Sequence, residues 1–118
     1  MTITQYGAET VLHCPADGPV LTGEQDALDL IGEAWGAQAS AVVLPASRLD
    51  PSFFVLSSGF AGAFVGKFVN YRMVLVVVGD ISAHLERSEP LRAFRRETNQ
   101  GKQFWLLDTA DEVAAKFQ

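Results

Sequence analysis

Met73 to Val78 is a run of six consecutive apolar residues, four of them valine, closed by Gly79-Asp80. It is far short of the roughly 20 residues that cross a bilayer as a helix. β-Branched residues that are apolar on both faces suit a strand covered from both sides, the signature of a central strand in a parallel sheet. The chain must therefore supply neighbouring strands and crossover helices.

The remaining segments read that way. Thr2 to Tyr6 and Thr10 to Cys14 are short β-prone runs about Gly7-Ala8, which predicts a hairpin. After the breaker Pro15-Ala16-Asp17-Gly18-Pro19, Thr22 and Gln25 have the spacing of a capping box. The helix that follows presents Leu28, Ile31 and Trp35, with Ala27 and Ala34 beside them, as its apolar face, and Gly36 is its expected stop. Ala41 to Leu44, ended by Pro45, is a buried strand.

A long connection, Ala46 to Ser58, precedes the next helix, and Phe53-Phe54 is expected to pin it to the core. Phe60, Phe64 and Phe68 recur at every fourth residue in Gly59 to Tyr71, a helical stripe. Beside it stand Gly59, Gly62 and Gly66, each costing about 1 kcal/mol against alanine if helical. Close approach of another backbone is the expected compensation, and a ligand or partner on the small face is the other. Ser88-Glu89-Pro90 opens a further helix ending at Asn99-Gln100-Gly101, with Arg92, Arg95 and Arg96 on its wet side. Phe104 to Leu107 is a last strand, and Thr109 and Glu112 form a capping box for a final helix. The expected fold is one α/β domain over residues 1–118, a mostly parallel sheet with helices in the order β-β-α-β-α-β-α-β-α.

Charge and composition narrow the function classes. Fourteen acidic and nine basic residues give a net charge of −5, which argues against nucleic acid or an anionic membrane as the main partner. One cysteine, Cys14, permits no disulfide within the chain. The first residues have neither a basic region nor an apolar core of the secretory kind, and a cytoplasmic location is expected. Metal-ligand spacing, a Walker motif and a Gly-x-Gly-x-x-Gly loop are all missing from the sequence, so no cofactor is expected.

The element order, together with Leu56-Ser57-Ser58-Gly59-Phe60 running into a helix, resembles the STAS domain of bacterial anti-sigma-factor antagonists and sulfate-transporter tails. Those antagonists are phosphorylated in an Asp-Ser-Ser-Gly-Leu segment, and the resemblance implies a phospho-switch at Ser57 or Ser58. This chain has Leu56 where the antagonists have the aspartate. Four blocks, Asp26 to Gly32, Leu49 to Phe54, Lys67 to Tyr71 and Val78 to Ser82, are similar to a bacterial family known as domain of unknown function 4180. That resemblance implies a fold and no activity.

Ligands of open parallel sheets bind beyond the carboxyl ends of the strands. The residues expected there are Arg48, Asp50, Ser57, Ser58, Gly59, Asp80, Ser82, His84, Asp108 and Thr109. Ser58-Gly59 at a helix start could hold an anion, or Ser58 could simply cap the helix. Asp80 could orient His84 as a general base, or cap a turn and leave His84 solvated. His13 and Cys14 point to opposite faces of one strand, which disfavours a dyad and leaves Cys14 as a packing residue. Trp35 and Trp105 are expected to anchor the core or an interface.

The first expectation is a non-catalytic, STAS-like regulatory module that binds a protein partner or small ligand. The alternative is a small enzyme or ligand-binding protein using Asp50, Asp80, Ser82 and His84. A homodimer through the small-residue helix is a third.

Overall fold

A computed structural model describes residues 1–117. Five strands form one sheet in chain order: β1 (Thr2–Tyr6), β2 (Glu9–His13), β3 (Ala41–Pro45), β4 (Val74–Val78) and β5 (Phe104–Leu107). β1 and β2 make the expected antiparallel hairpin, with Gly7 in the left-handed region at φ 61°, and the other pairings are parallel. The valine run is β4, held between β3 and β5 with Leu75, Val76 and Val77 fully buried.

Successive right-handed crossovers in chain order put their helices on one face. α1 (Glu24–Gly36), α2 (Phe60–Asn70) and α4 (Glu89–Gln100) bury Ile31, Phe64, Phe68 and Leu91 there, against Leu12, Val42, Leu44, Leu75, Val77, Phe104 and Leu106. The other face, Val11, Ala41, Val43, Val76, Trp105 and Leu107, receives Val113 of α5 (Asp111–Lys116), together with Tyr6 and Phe117. The element order expected from the sequence holds with one addition. α3 (Ser82–Arg87) stands between β4 and α4, ahead of the expected third helix, which is α4.

Several local expectations shift. The helix α1 starts one residue later than the Thr22–Gln25 spacing implied: Asp26 accepts from the N–H groups of Thr22 (2.8 Å) and Gly23 (3.3 Å), whereas Gln25 donates to Asp29. Its buried stripe is Ala27, Leu30, Ile31 and Ala34, so Trp35 turns outward, 53% exposed and edge-on to Tyr71. Gly36 lies inside the helix. The stop falls on Gln38 (φ 59°), whose N–H bonds to Trp35 O while that of Ala39 bonds to Ala34 O. This is a Schellman ending with glutamine at the position glycine usually fills.

The small-residue helix also differs from expectation. A Cβ added at Gly62 or Gly66 would meet nothing within 4 Å, so among the described residues no other backbone approaches these glycines. Their helical cost is not offset by close packing among the described residues.

Candidate functional site

The connection Ala46 to Ser58 is not structureless. It is a strap of three 3₁₀ turns, Ala46–Arg48, Pro51–Phe54 and Leu56–Ser58. Asp50 caps the second turn, accepting from Ser52 N (3.0 Å) and Ser52 Oγ (2.6 Å), and Pro51 follows in the first helical position. Those bonds, the hydroxyl first, hold the Asp50 carboxyl below the usual range. Phe53 and Phe54 enter the core as expected, Phe53 edge-on to Phe60, Phe64 and Phe104.

Arg48 is the buried charged residue of the described chain, and it is structural. Its Nε donates to Pro19 O and its Nη1 to Pro15 O, both at 2.9 Å, and its guanidinium lies against Gly18. The clamp holds the loop between β2 and α1 so that Leu21 can bridge to Leu49 and continue the sheet.

The carboxyl ends of β3 and β4 open into two clefts. One, of about 370 Å³, is lined by Ala46, Ser47, Leu49, Val78, Gly79, Asp80, and others. The second, of about 450 Å³, has a mainly apolar surface: Pro51, Phe54, Val55, Leu56 and Pro90 line it, with Ser52, Ser57, His84, Arg87 and Ser88 as polar groups. Pro51, Phe54 and His84 belong to both, the two rings of Phe54 and His84 stacked with centroids 4.7 Å apart and planes at 23°. Arg87 brings Nη2 to 3.5 Å from His84 Nδ1. Val55 projects at the rim, 53% exposed. These volumes lie within or near the range of small-ligand sites.

The residues singled out in the sequence are distributed unevenly about these clefts. Asp80 accepts from Ser82 N at 2.9 Å, which caps the turn into α3 and keeps the carboxyl below its usual range, the Ser82 hydroxyl being the leading cause. Among the described residues no hydrogen bond joins Asp80 to His84, so the orienting role drawn from their spacing is not made. Ser58 donates to Ser52 O (2.7 Å) and accepts from Phe60 N (3.2 Å), binding strap to helix, while Ser57 is exposed on the apolar cleft. Gly59 takes φ 82° at the junction into α2. Asp108 pairs with Arg95 at 2.9 Å, and Thr109 gives its N–H and hydroxyl to Glu112.

His13 and Cys14 do face opposite ways, His13 toward Tyr6 and Cys14 into the main core, where burial raises the thiol pKa. Sequence reasoning missed Phe54, Val55, Leu56, Arg87 and Pro90 as cleft residues. Asp80 and His84 drew notice as polar neighbours, but the wall of the site is aromatic and apolar.

A protein-family model described as Domain of unknown function (DUF4180) matches residues 6–117. The chain belongs to that family. No curated protein and no solved structure matches it, and among the described residues no helix is long and apolar enough to cross a membrane.

Proposed function

We propose that this member of the DUF4180 family is a non-catalytic binding module, a STAS-like regulator in role. Its site is the apolar cleft between the 3₁₀ strap and the α3–α4 junction. The observation that carries the reading is the cleft's chemistry. Phe54, Val55, Leu56 and Pro90 offer apolar surface, and Arg87 beside His84 is the cation at its edge. The fitting occupant is an apolar side chain or small molecule ending in a carboxylate, from a protein partner or free in solution. The STAS-like part rests on the element order and on Ser57-Ser58-Gly59 at the start of α2. Of the two serines, Ser57 is the one suited to a switch, because it is exposed on the cleft while Ser58 is engaged.

The test is an NMR titration with 4-phenylbutyrate and, as control, 4-phenylbutylamine. The carboxylate should shift the amide signals of Val55, Leu56, Ser57 and Arg87, and Arg87→Ala should weaken it at least tenfold. Equal binding of the amine, or shifts confined to other residues, would sink the reading. The alternative, a small enzyme, draws on Asp80 and His84 both lining the neighbouring cleft. Asp50, by contrast, is engaged in capping its turn.

A further inference from the structure

At the opposite end of the sheet, where the parallel strands begin, three cations come together with no salt bridge among the described residues. Arg72 and Val74 at the start of β4, Lys102 before β5, and Lys116 at the end of α5 line one cleft of about 490 Å³ with Trp105 and Phe117. Three of the chain's nine Lys and Arg residues meet here in a protein of net charge −5. Among the described residues none of the three makes a salt bridge. The two ion pairs of the described residues lie elsewhere, at Lys67–Glu24 and Arg95–Asp108. Among the described residues the cleft has one carboxylate, that of Glu9, which takes a hydrogen bond from Ser40 Oγ.

The wall beside these cations is aromatic and already fixed. Phe117 lies flat against Tyr6 (5.6 Å, 14°) and edge-on to Trp105 (5.4 Å, 76°). Trp105 Nε1 donates to Gly101 O at 2.8 Å, and Lys116 Nζ, 5.2 Å from the indole centroid, donates to Asn99 O. Arg72 adds a second kind of observation. It occupies the C′ position of a Schellman ending on α2 at φ 55°, with Arg72 N bonding to Val69 O and Met73 N to Phe68 O. Glycine fills that position without strain. An arginine there holds a left-handed backbone and sets its side chain on the cationic cleft.

We infer that this cleft is a second binding site, for a small molecule carrying a phosphate or carboxylate on a flat ring. Arg72 and Lys102 meet the anion, and the edge of Trp105 with Phe117 meets the ring. The site is independent of the apolar cleft, since it lies at the other end of the strands and shares no residue with it.

Arg72 makes the test unusually clean. Arg72→Gly removes the cation while relaxing the backbone, so the variant should melt at or above the parent temperature, and lost binding cannot then be ascribed to unfolding. The probe is 1-naphthyl phosphate, with inorganic phosphate and 1-naphthol as its two halves and 1-naphthoate to compare anions. Naphthyl phosphate is expected to shift the Trp105 indole signal and the amides of Lys102 and Lys116, at least tenfold more tightly than inorganic phosphate. Arg72→Gly and Lys102→Gln should each weaken it fivefold or more. Unperturbed Trp105 and Lys102 signals, parent-like affinity in Arg72→Gly, or naphthol binding as tightly as its phosphate would each overturn the inference.

Discussion

The side-chain amide of Asn99 pairs with the backbone of Leu106 as another strand would: Asn99 Nδ2 donates to Leu106 O at 2.9 Å and Leu106 N donates to Asn99 Oδ1 at 2.7 Å. β5 is one of the two edge strands of the sheet, and unpaired edges recruit other chains. One asparagine on α4 both docks that helix and closes this edge.

Replacing Asn99 by Ala should therefore cost about 2 kcal/mol, because two backbone groups of a buried residue lose their partners. Asn99→Asp keeps the acceptor and loses the donor, so it should fall between Ala and parent. Urea unfolding gives the energies, and light scattering during refolding should show more association in the alanine variant. An unchanged midpoint in Asn99→Ala would mean that water replaces the amide freely.

Arg48 is the second structural device to test. Arg48→Ala removes two hydrogen bonds from a charged donor to the carbonyls of Pro15 and Pro19, at about 2–3 kcal/mol in all. Lysine lacks the planar fork and should restore less than half. Hydrogen exchange at Leu21 N, which donates to Arg48 O at 2.7 Å, should quicken in the alanine variant ahead of the core strands.

Gln38 sits in the left-handed region at φ 59°, where a residue with Cβ is strained by roughly 1 kcal/mol. Gln38→Gly should raise the unfolding free energy by about 0.5–1 kcal/mol, visible as a higher melting temperature. A fall would show that the glutamine side chain is itself needed there.

Acid should lower the stability of the protein in two pH windows of different origin. Burial lowers the pKa of His13, so its unfolded form takes up a proton before the folded one does. That contribution is complete above the unfolded value near pH 6.5 and is lost as pH falls through the folded value. Asp50 and Asp80 are held low by hydrogen bonds from Ser52 and Ser82. Their contribution is complete above about pH 3.9 and disappears at still lower pH. His13→Gln should flatten the upper part of the stability profile, and Asp50→Asn with Asp80→Asn the lower part. Profiles of parallel shape would refute the assignment.

Phe54 separates two clefts by its stack on His84 and is itself buried. Phe54→Ala should cost about 3–5 kcal/mol as a core truncation. His84→Ala removes only the half-buried partner of the pair, at about 1 kcal/mol. Calorimetry on the two variants separates the structural wall from its functional facing.

Sheet and helices were legible because their signals are local. Six apolar residues in a row make Met73 to Val78 a covered strand wherever it sits, and Ser88 caps α4 through Leu91 N as its neighbours imply. Phe53 and Phe54 were read correctly as the anchor of the strap. The sequence misled where two local solutions are close in energy. Asp26 caps α1 in place of the Thr22–Gln25 pair, and rotating the stripe to Ala27, Leu30, Ile31 and Ala34 left Trp35 outside. Because its core-facing side chains are few, α3 carries little periodic signal.

By itself, the sequence determined the strands, four of the five α-helices, their order, and the family, since these depend on residues close along the chain. Only the tertiary structure decided the sites. His84 meets Phe54 thirty positions away, and Glu9, Arg72, Lys102 and Lys116 share a cleft although they come from separate elements. Those meetings are fixed by strand register and crossover handedness, which bring strand ends together regardless of their distance in sequence.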